Sequence, residues 1–324
     1  MKKTIANIIF LMLLSATVSA QKVNEGSYFS LMSENDLYSF PGGNTDRYYT
    51  NGLRLDYFFS KKKFQFPSTL LLKISDDKNV FGWGLAQYMF TPSRIDIQTV
   101  QYDDRPYAGA LFGIHSLSSY DYEKKIKLRS EIYFGVMGPL SLAEEAQTTV
   151  HKLINSPHPE GWQNQVPNDV VVNYNLHLEK EIIYVPEKIL VTGNMETFAG
   201  TLYDAMGAGF SVKIGRIKNY LEKNDRMESK PKSQIYVVLK PTVRIIYFNA
   251  LLQGGIITNI SGTHKGYTLD KDQIERINVF TEAGITYERP GMSISLLQKM
   301  RSAPFKGGNA LEYGSVAVAF RIKS

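Results

Sequence analysis

The side chains that could do chemistry together fall in Glu34-Asn35-Asp36, in the run from Gly42 through Thr50 to Gly52, and at His151. A carboxylate, an amide, a hydroxyl and nearby backbone carbonyls are hard oxygen ligands of the kind calcium takes, so a metal site built on Asn35 and Asp36 is chemically reasonable. The same residue types are also what a strand end and a turn require, and the sequence contains no defined calcium loop. On an ideal strand Asn35 and Asp36 point opposite ways; they serve one site only if the strand bends, bulges or ends there. His151 contributes an imidazole, which acts as a general base near neutral pH. Of the other histidines, nothing local makes His115, His177 or His264 stand out. A second polar cluster, Asp103 to Gly109, reads equally as a rim salt bridge or as part of a site. The absence of cysteine excludes a thiolate nucleophile or metal site. There is no GxSxG elbow, HExxH pair or phosphate-binding glycine loop, so water activated by His151 is a simpler proposal than a covalent serine.

The elements that must position these residues are strands. Lys2 and Lys3, the apolar stretch Ile5 to Leu14 and the small residues Val18-Ser19-Ala20 read as a cleaved signal peptide over residues 1–20, leaving residues 21–324 as one domain. Removing its two lysines leaves 35 basic against 31 acidic side chains in the mature chain, a balance of +4 that gives no reason to expect a nucleic-acid partner. The mature chain has no apolar stretch long enough for a spanning helix. It alternates with period 2 almost throughout. Ile126, Leu128, Ile132, Phe134 and Val136 share one face, and Lys125, Lys127, Arg129, Glu131 and Tyr133 share the other. Comparable runs number about twelve, near 27–36, 50–59, 81–91, 107–119, 125–137, 169–182, 188–200, 204–216, 234–248, 275–288, 291–302 and 311–322. Their number and length, with the export signal and aromatic residues near run ends, favour an all-β transmembrane antiparallel barrel over a soluble sandwich or lipocalin-like barrel. The apolar face then meets lipid and the charged face lines the lumen. Alternation puts Asp36, Thr50, Arg54 and Asp56 inside. Pro241 sits awkwardly in a run paired on both sides, and Lys218 to Lys232 reads as a solvated loop. The one helical stretch, near residues 141–155, opens on Ser141-Leu142-Ala143-Glu144, the pattern of a capping box. Its stripe of Leu142, Ala146, Val150, Leu153 and Ile154 predicts an amphipathic helix at the rim or in the lumen, carrying His151.

Several blocks in order, Glu34-Asn35-Asp36, Asp46 to Gly52, Asp104 to Gly109, Gly135 to Pro139 and His151 through Gly161-Trp162-Gln163-Asn164-Gln165, with a weaker Leu252-Gln253-Gly254, resemble the lipid A 3'-O-deacylase (LpxR) family. The resemblance implies a twelve-stranded outer-membrane barrel that uses Ca2+ to hydrolyse the ester holding the 3'-linked acyloxyacyl chain of lipid A. It implies that Asn35 and Asp36 belong to the calcium and oxyanion region, that Thr50 is an active-site hydroxyl and that His151 is the base. The partner would be lipopolysaccharide in the outer leaflet, met by a monomer. Where family members can carry an acid six positions after the histidine, this chain has Pro157, so the carboxylate partner would come from Glu160 or Asp36 or be absent. No lysine aligns to meet a lipid A phosphate; Arg94 and Arg105, with Glu34, are the candidates for substrate contact. The alternatives are an outer-membrane phospholipase and a catalytically silent channel or structural barrel.

Overall fold

A computed structural model describes residues 27–39, 48–60, 66–222, 233–261 and 266–322. The signal-peptide reading of residues 1–20, the turn stretch 42–47, His264 and most of the loop 218–232 lie outside them. Alternating side chains build β1 (Tyr28–Asn35), β2 (Tyr48–Phe59), β3 (Lys78–Thr91), β4 (Ala108–Asp121), β5 (Ile126–Met137) and β6 (Asp169–Val185). They continue through β7 (Ile189–Gly200), β8 (Tyr203–Arg216), β9 (Gln234–Asn249), β10 (Ile277–Arg289), β11 (Met292–Arg301) and β12 (Leu311–Arg321). Each strand pairs antiparallel with its chain neighbours, and β1 closes the barrel on β12 from Tyr28↔Arg321 to Asn35↔Gly314.

The inside is charged and cross-linked. Arg54 donates to Asp56 and Glu131 at 2.8 Å each, Arg129 also reaches Glu131, Lys127 pairs with Glu179, and Arg244 pairs with Glu196. The outside exposes Leu53, Leu85, Phe134, Met195, Val237, Val243 and Ile285. Hydrocarbon accepts that face and water does not, which makes the chain an outer-membrane barrel. Among the described residues no helix is long and apolar enough to cross a membrane; the strands do the crossing. Both described chain ends lie at the end with β-turns of a few residues and two longer connections. The opposite end carries α1 (Ala143–Ile154), α2 (Ala250–Gln253) and α3 (Ile256–Ser261), and such elaborated loops mark the extracellular side. Pro241 is accommodated inside β9 because the β8–β9 ladder skips from Gly209↔Thr242 to Val212↔Leu239, so no neighbour there needs its missing N–H.

One of those longer connections, from β2 to β3, does not stay at the periplasmic rim. Residues 68–75 lie along the lipid-facing wall of β4 to β6. The backbone there is held by side chains that a plain lipid face would not carry. Tyr174 accepts from Leu72 N–H and donates to Leu70 O, both at 3.1 Å. Ser119 receives the amides of Ile74 and Ser75, Ser130 donates to Leu72 O, and Ser68 bonds His115 Nε2 at 3.0 Å. Leu71 fills the wall beside Phe81 and Leu117, while Leu70 and Leu72 remain exposed to lipid.

Candidate functional site beneath the rim helix

The helix α1 is built differently at its start from the capping box the sequence suggests. Ser141 spends its hydroxyl on Gly138 O at 2.6 Å, and the N-cap position is Leu142, in the left-handed region with no side-chain cap. Ser141 belongs instead to a 3-10 turn (Pro139–Ser141) that brings the chain out of β5. Glu144 and Glu145 still occupy the first turn, where carboxylates favour the positive end of the helix dipole. Burial, and next the charge of Glu145, raises the Glu144 carboxyl above its usual range. Asn155, at φ 55°, ends the helix with its N–H on His151 O.

Most of the amphipathic stripe faces away from the protein, although Ala146 packs against Met89, Tyr107, Ala143 and Trp162 and Ile154 is half-buried. Leu142, Val150 and Leu153 are exposed, while Ala143, Gln147 and His151, spaced four apart on one face, are buried. The reason lies in the wall underneath. Register puts Gln87, Met89 and Gly109 on the outer side of β3 and β4, and α1 packs on that outer side at the extracellular rim, its polar underside against protein and its apolar side toward lipid. Gln87 donates to Ser141 O at 2.7 Å. A Cβ on Gly109 would stand 2.2 Å from Ser141 Oγ and 2.4 Å from Ala143 Cβ, so glycine is what lets the helix seat. Met89, Tyr107, Ala143 and Trp162 form the contact, and the Trp162 indole donates to Gln147 Oε1 at 2.7 Å. Burial raises the Tyr107 hydroxyl well above its usual range.

Asn35 and Thr50 meet on this same outer side. β1 ends at Asn35, and a 3-10 turn (Asp36–Tyr38) follows, so strand alternation does not extend to Asp36. The expected lumenal position of Asp36 therefore loses its basis: Tyr38 backs onto Gly314, on the outward row of β12, and Ser39 receives Gln298 Nε2 at 2.9 Å. Asn35 accepts from Leu37 N–H at 2.8 Å and donates to Thr50 O at 2.7 Å. Asp36 beside it is 1% exposed. Alternation predicts Thr50 inside with Arg54 and Asp56; those two are inside, and Thr50 is not. Tyr49 faces inward to Glu34 and Gly52 pairs with Glu34, so the β-bulge between them turns Thr50 and Asn51 both outward. Thr50 Oγ1 then lies 2.7 Å from Thr91 Oγ1 at the end of β3.

His151 Nδ1 lies 2.6 Å from Pro157 O. The backbone carbonyl of Pro157 therefore occupies the orienting position that the sequence leaves to Glu160 or Asp36; Glu160 instead pairs with His158 at 3.4 Å. The candidate substrate contacts separate from this group. Glu34 is on the lumen side, bonded to Tyr49 and Lys299. Arg105 is buried over the Phe90 ring at 4.2 Å and reaches Leu251 O, with its pKa lowered by burial and next by the charge of Arg301. Arg94 is exposed and paired with Asp96 at 3.0 Å. The Asp103 to Gly109 cluster is not a rim salt bridge: Asp104 caps the amides of Ser93 and Arg105 with its carboxylate. Sequence reasoning misses Thr91, Gln147 and the Pro157 carbonyl. Gln147 is findable, one turn before His151 on the same helix face; neither Thr91 nor a carbonyl carries a sequence signal.

The rim at β1–β3 thus holds a buried carboxylate, an amide and paired hydroxyls, and α1, seated on the outer side of β3 and β4, carries an oriented imidazole; no hydrogen bond among the described residues joins His151 to Asn35 or Thr50. Among the described residues no group of three or more His, Cys, Asp or Glu could hold a metal ion. Asn35 Oδ1 and the Thr50 carbonyl, brought together by the Asn35 amide, are oxygen donors of the kind that suits a hard cation, and the buried Asp36 carboxylate follows Asn35 in the chain.

Residues 7–322 match the family described as "Outer membrane protein LpxR". Among solved structures, LpxR from Salmonella typhimurium aligns at TM-score 0.70 and 18% identity, covering 91% of this chain and 100% of that one. The β-domain of the Bordetella autotransporter Brka aligns at TM-score 0.43 and 8% identity over 91% of this chain and 98% of that one. No curated protein matches the chain in direct sequence comparison. With a family match over nearly its whole length, the chain belongs to the LpxR family of outer membrane proteins.

Proposed function

We propose that this protein is a calcium-dependent esterase that hydrolyses the ester holding the 3'-linked acyloxyacyl chain of lipid A in the outer leaflet. The observation that carries the reading is the hydrogen bond from His151 Nδ1 to Pro157 O. A carbonyl only accepts, so Nδ1 is the protonated nitrogen, and in the neutral imidazole Nε2 then holds the lone pair that a general base needs. Backbone orientation of this kind takes the place that a carboxylate would fill beside the ring.

In the reaction, His151 takes a proton from water as the oxygen attacks the ester carbonyl. Negative charge grows on the former carbonyl oxygen, and the Thr50 hydroxyl donates toward it while accepting from Thr91. When the tetrahedral centre collapses, protonated His151 returns the proton to the leaving alkoxide, giving a free acid and a sugar hydroxyl. Asp36, Asn35 and the Thr50 carbonyl are the residues that would hold calcium, which when bound supplies positive charge beside the developing oxyanion. Leu142, Val150 and Leu153 continue the lipid-facing belt up to the site, so acyl chains reach it without leaving the membrane.

The test is mass spectrometry of purified lipid A after incubation with refolded protein in detergent, with calcium or with a chelator, and with His151→Ala. Loss of one acyloxyacyl mass that needs both calcium and His151 is expected. No mass change from a folded barrel, with phospholipid cleaved instead, would move the activity to glycerophospholipids; neither substrate cleaved would leave a silent barrel.

A further inference from the structure

On the far side of the barrel, six strands from β4 in either direction, the extracellular rim between the lead-in to β10 and the β11–β12 loop holds a cleft of about 390 Å3. Lys271, Arg276 and Lys306 line it, with Asp272, Glu275 and Ile277. Cations therefore outnumber acids, and among the described residues none of the three cations forms an ion pair. Its walls are fixed to one another. Ile274 bridges Phe305, Lys306 N–H bonds Gln273 O at 2.7 Å and Glu275 N–H bonds Pro304 O at 3.2 Å. The Arg276 guanidinium is anchored rather than loose, donating to Tyr247 O and Lys271 O at 2.7 Å each.

The floor of the cleft opens onto lipid. Ile277 both lines it and is 66% exposed as the first residue of β10, and Val279 and Tyr247 below and beside it are exposed on the same apolar belt. A tethered guanidinium and two lysines at the height of the headgroups, directly above apolar wall, fit a molecule with an anionic head and hydrocarbon tails. Neither the hydrolytic site nor the lumen uses any of these residues. We propose that this cleft binds the phosphate of an outer-leaflet amphiphile whose chains descend past Ile277 and Val279. Inorganic phosphate offers the same head chemistry without tails, and the measurement separates the two.

The full mature protein in detergent micelles is titrated with dihexanoyl phosphatidic acid, with dihexanoyl glycerol and inorganic phosphate as comparators. The variant carries Lys271→Ala and Lys306→Ala; Arg276 is kept because it holds backbone carbonyls. The wild type is expected to bind the phosphatidic acid in preference to both comparators, and removing two interfacial cations should weaken that binding roughly 30-fold in a barrel that remains heat-modifiable. Equal binding by wild type and variant would overturn the site. Equal binding of dihexanoyl glycerol would overturn phosphate recognition, and equally tight binding of inorganic phosphate would overturn the lipid occupant. The hydrolysis assay on lipid A is a separate readout, so failure here and failure of the esterase reading are distinguishable.

Discussion

Along β3 to β6 the lipid-facing rows include Gln87, His115, Ser119, Ser130 and Tyr174, whereas the corresponding rows of β8 and β9 run through Met206, Phe210, Val212 and Ile214, and through Ile235, Val237, Leu239, Val243 and Ile245. Polar groups facing hydrocarbon are costly unless bonded, so each polar residue in the first set needs a partner on the outer surface. Those partners are segments that leave the barrel and fold back on it: the β2–β3 connection below and, above, the Pro139–Ser141 turn that leads into α1. Among the described residues the wall of β8 and β9 has no such cover, and its apolar row needs none. Irregular chain on the outside of a membrane barrel thus marks where the wall has been given polar side chains, and the proposed base is carried by the cover that reaches the extracellular edge.

The largest expected effect falls on that cover. His151→Ala removes the proposed base and should lower the lipid A hydrolysis rate by about 10²- to 10⁴-fold with the barrel intact, while Tyr247→Ala on the uncovered side leaves the rate unchanged. Full activity in His151→Ala would detach the chemistry from the covered wall. On the uncovered wall the largest effect is on stability instead. Val243→Arg places a charge in the middle of an apolar row and should cost about 2–4 kcal/mol, read from the urea midpoint in detergent or bilayer. A smaller cost would mean that β9 is not bare.

The barrel is legible because its period-2 runs are long and one face of each is charged; Lys127, Arg129 and Glu131 cannot face lipid, and the ion pairs with Glu179 and Arg54 confirm their side. The residues proposed for the chemistry, Asn35, Asp36, Thr50 and His151, are picked out by residue type, but their side of the wall is not legible. A single inserted residue reverses parity, and the bulge at Thr50 leaves no mark in a sequence of ordinary strand residues. Helix direction fails for a related reason. An apolar stripe normally points to the protein interior, but beside a membrane the interior-seeking face and the lipid-seeking face exchange, so Leu142, Val150 and Leu153 turn out while Gln147 and His151 turn in. The covering strap escapes notice because its anchors are single serines and a tyrosine on otherwise apolar strands.

The seating of α1 can be loosened without touching the imidazole. Gly109→Val puts a branched side chain into occupied space, since its Cβ alone would stand 2.2 Å from Ser141 Oγ and 2.4 Å from Ala143 Cβ. Overpacking of this kind costs about 1–3 kcal/mol, and here it is expected to lift the helix rather than unfold the barrel. The rate should fall, with faster hydrogen exchange in residues 143–154. Gly193→Ala on β7 is the matched control, since the nearest atom to its added Cβ is the far end of Ile182, at 3.3 Å. Equal behaviour of the two variants would mean that the helix does not depend on close approach to β4.

The smallest effect tests the lower cover. Tyr174→Phe leaves Leu72 N–H and Leu70 O without their shared hydroxyl on the lipid-facing side, at a cost of roughly 1–2 kcal/mol. Because Ser119, Ser130 and the Ser68–His115 bond still hold the segment, the loss should appear as faster exchange of the Leu72 amide and not as a change in global stability or hydrolysis rate. The distinction matters for what a cover does. A strap whose bonds merely satisfy the wall behind it can lose one and stay in place, and its exchange then rises only near residue 72. If instead the rate of lipid A hydrolysis fell with Tyr174→Phe, the lower segment would be coupled through β4 to the rim above, and the two covers would be parts of one device rather than separate answers to the same solvation problem.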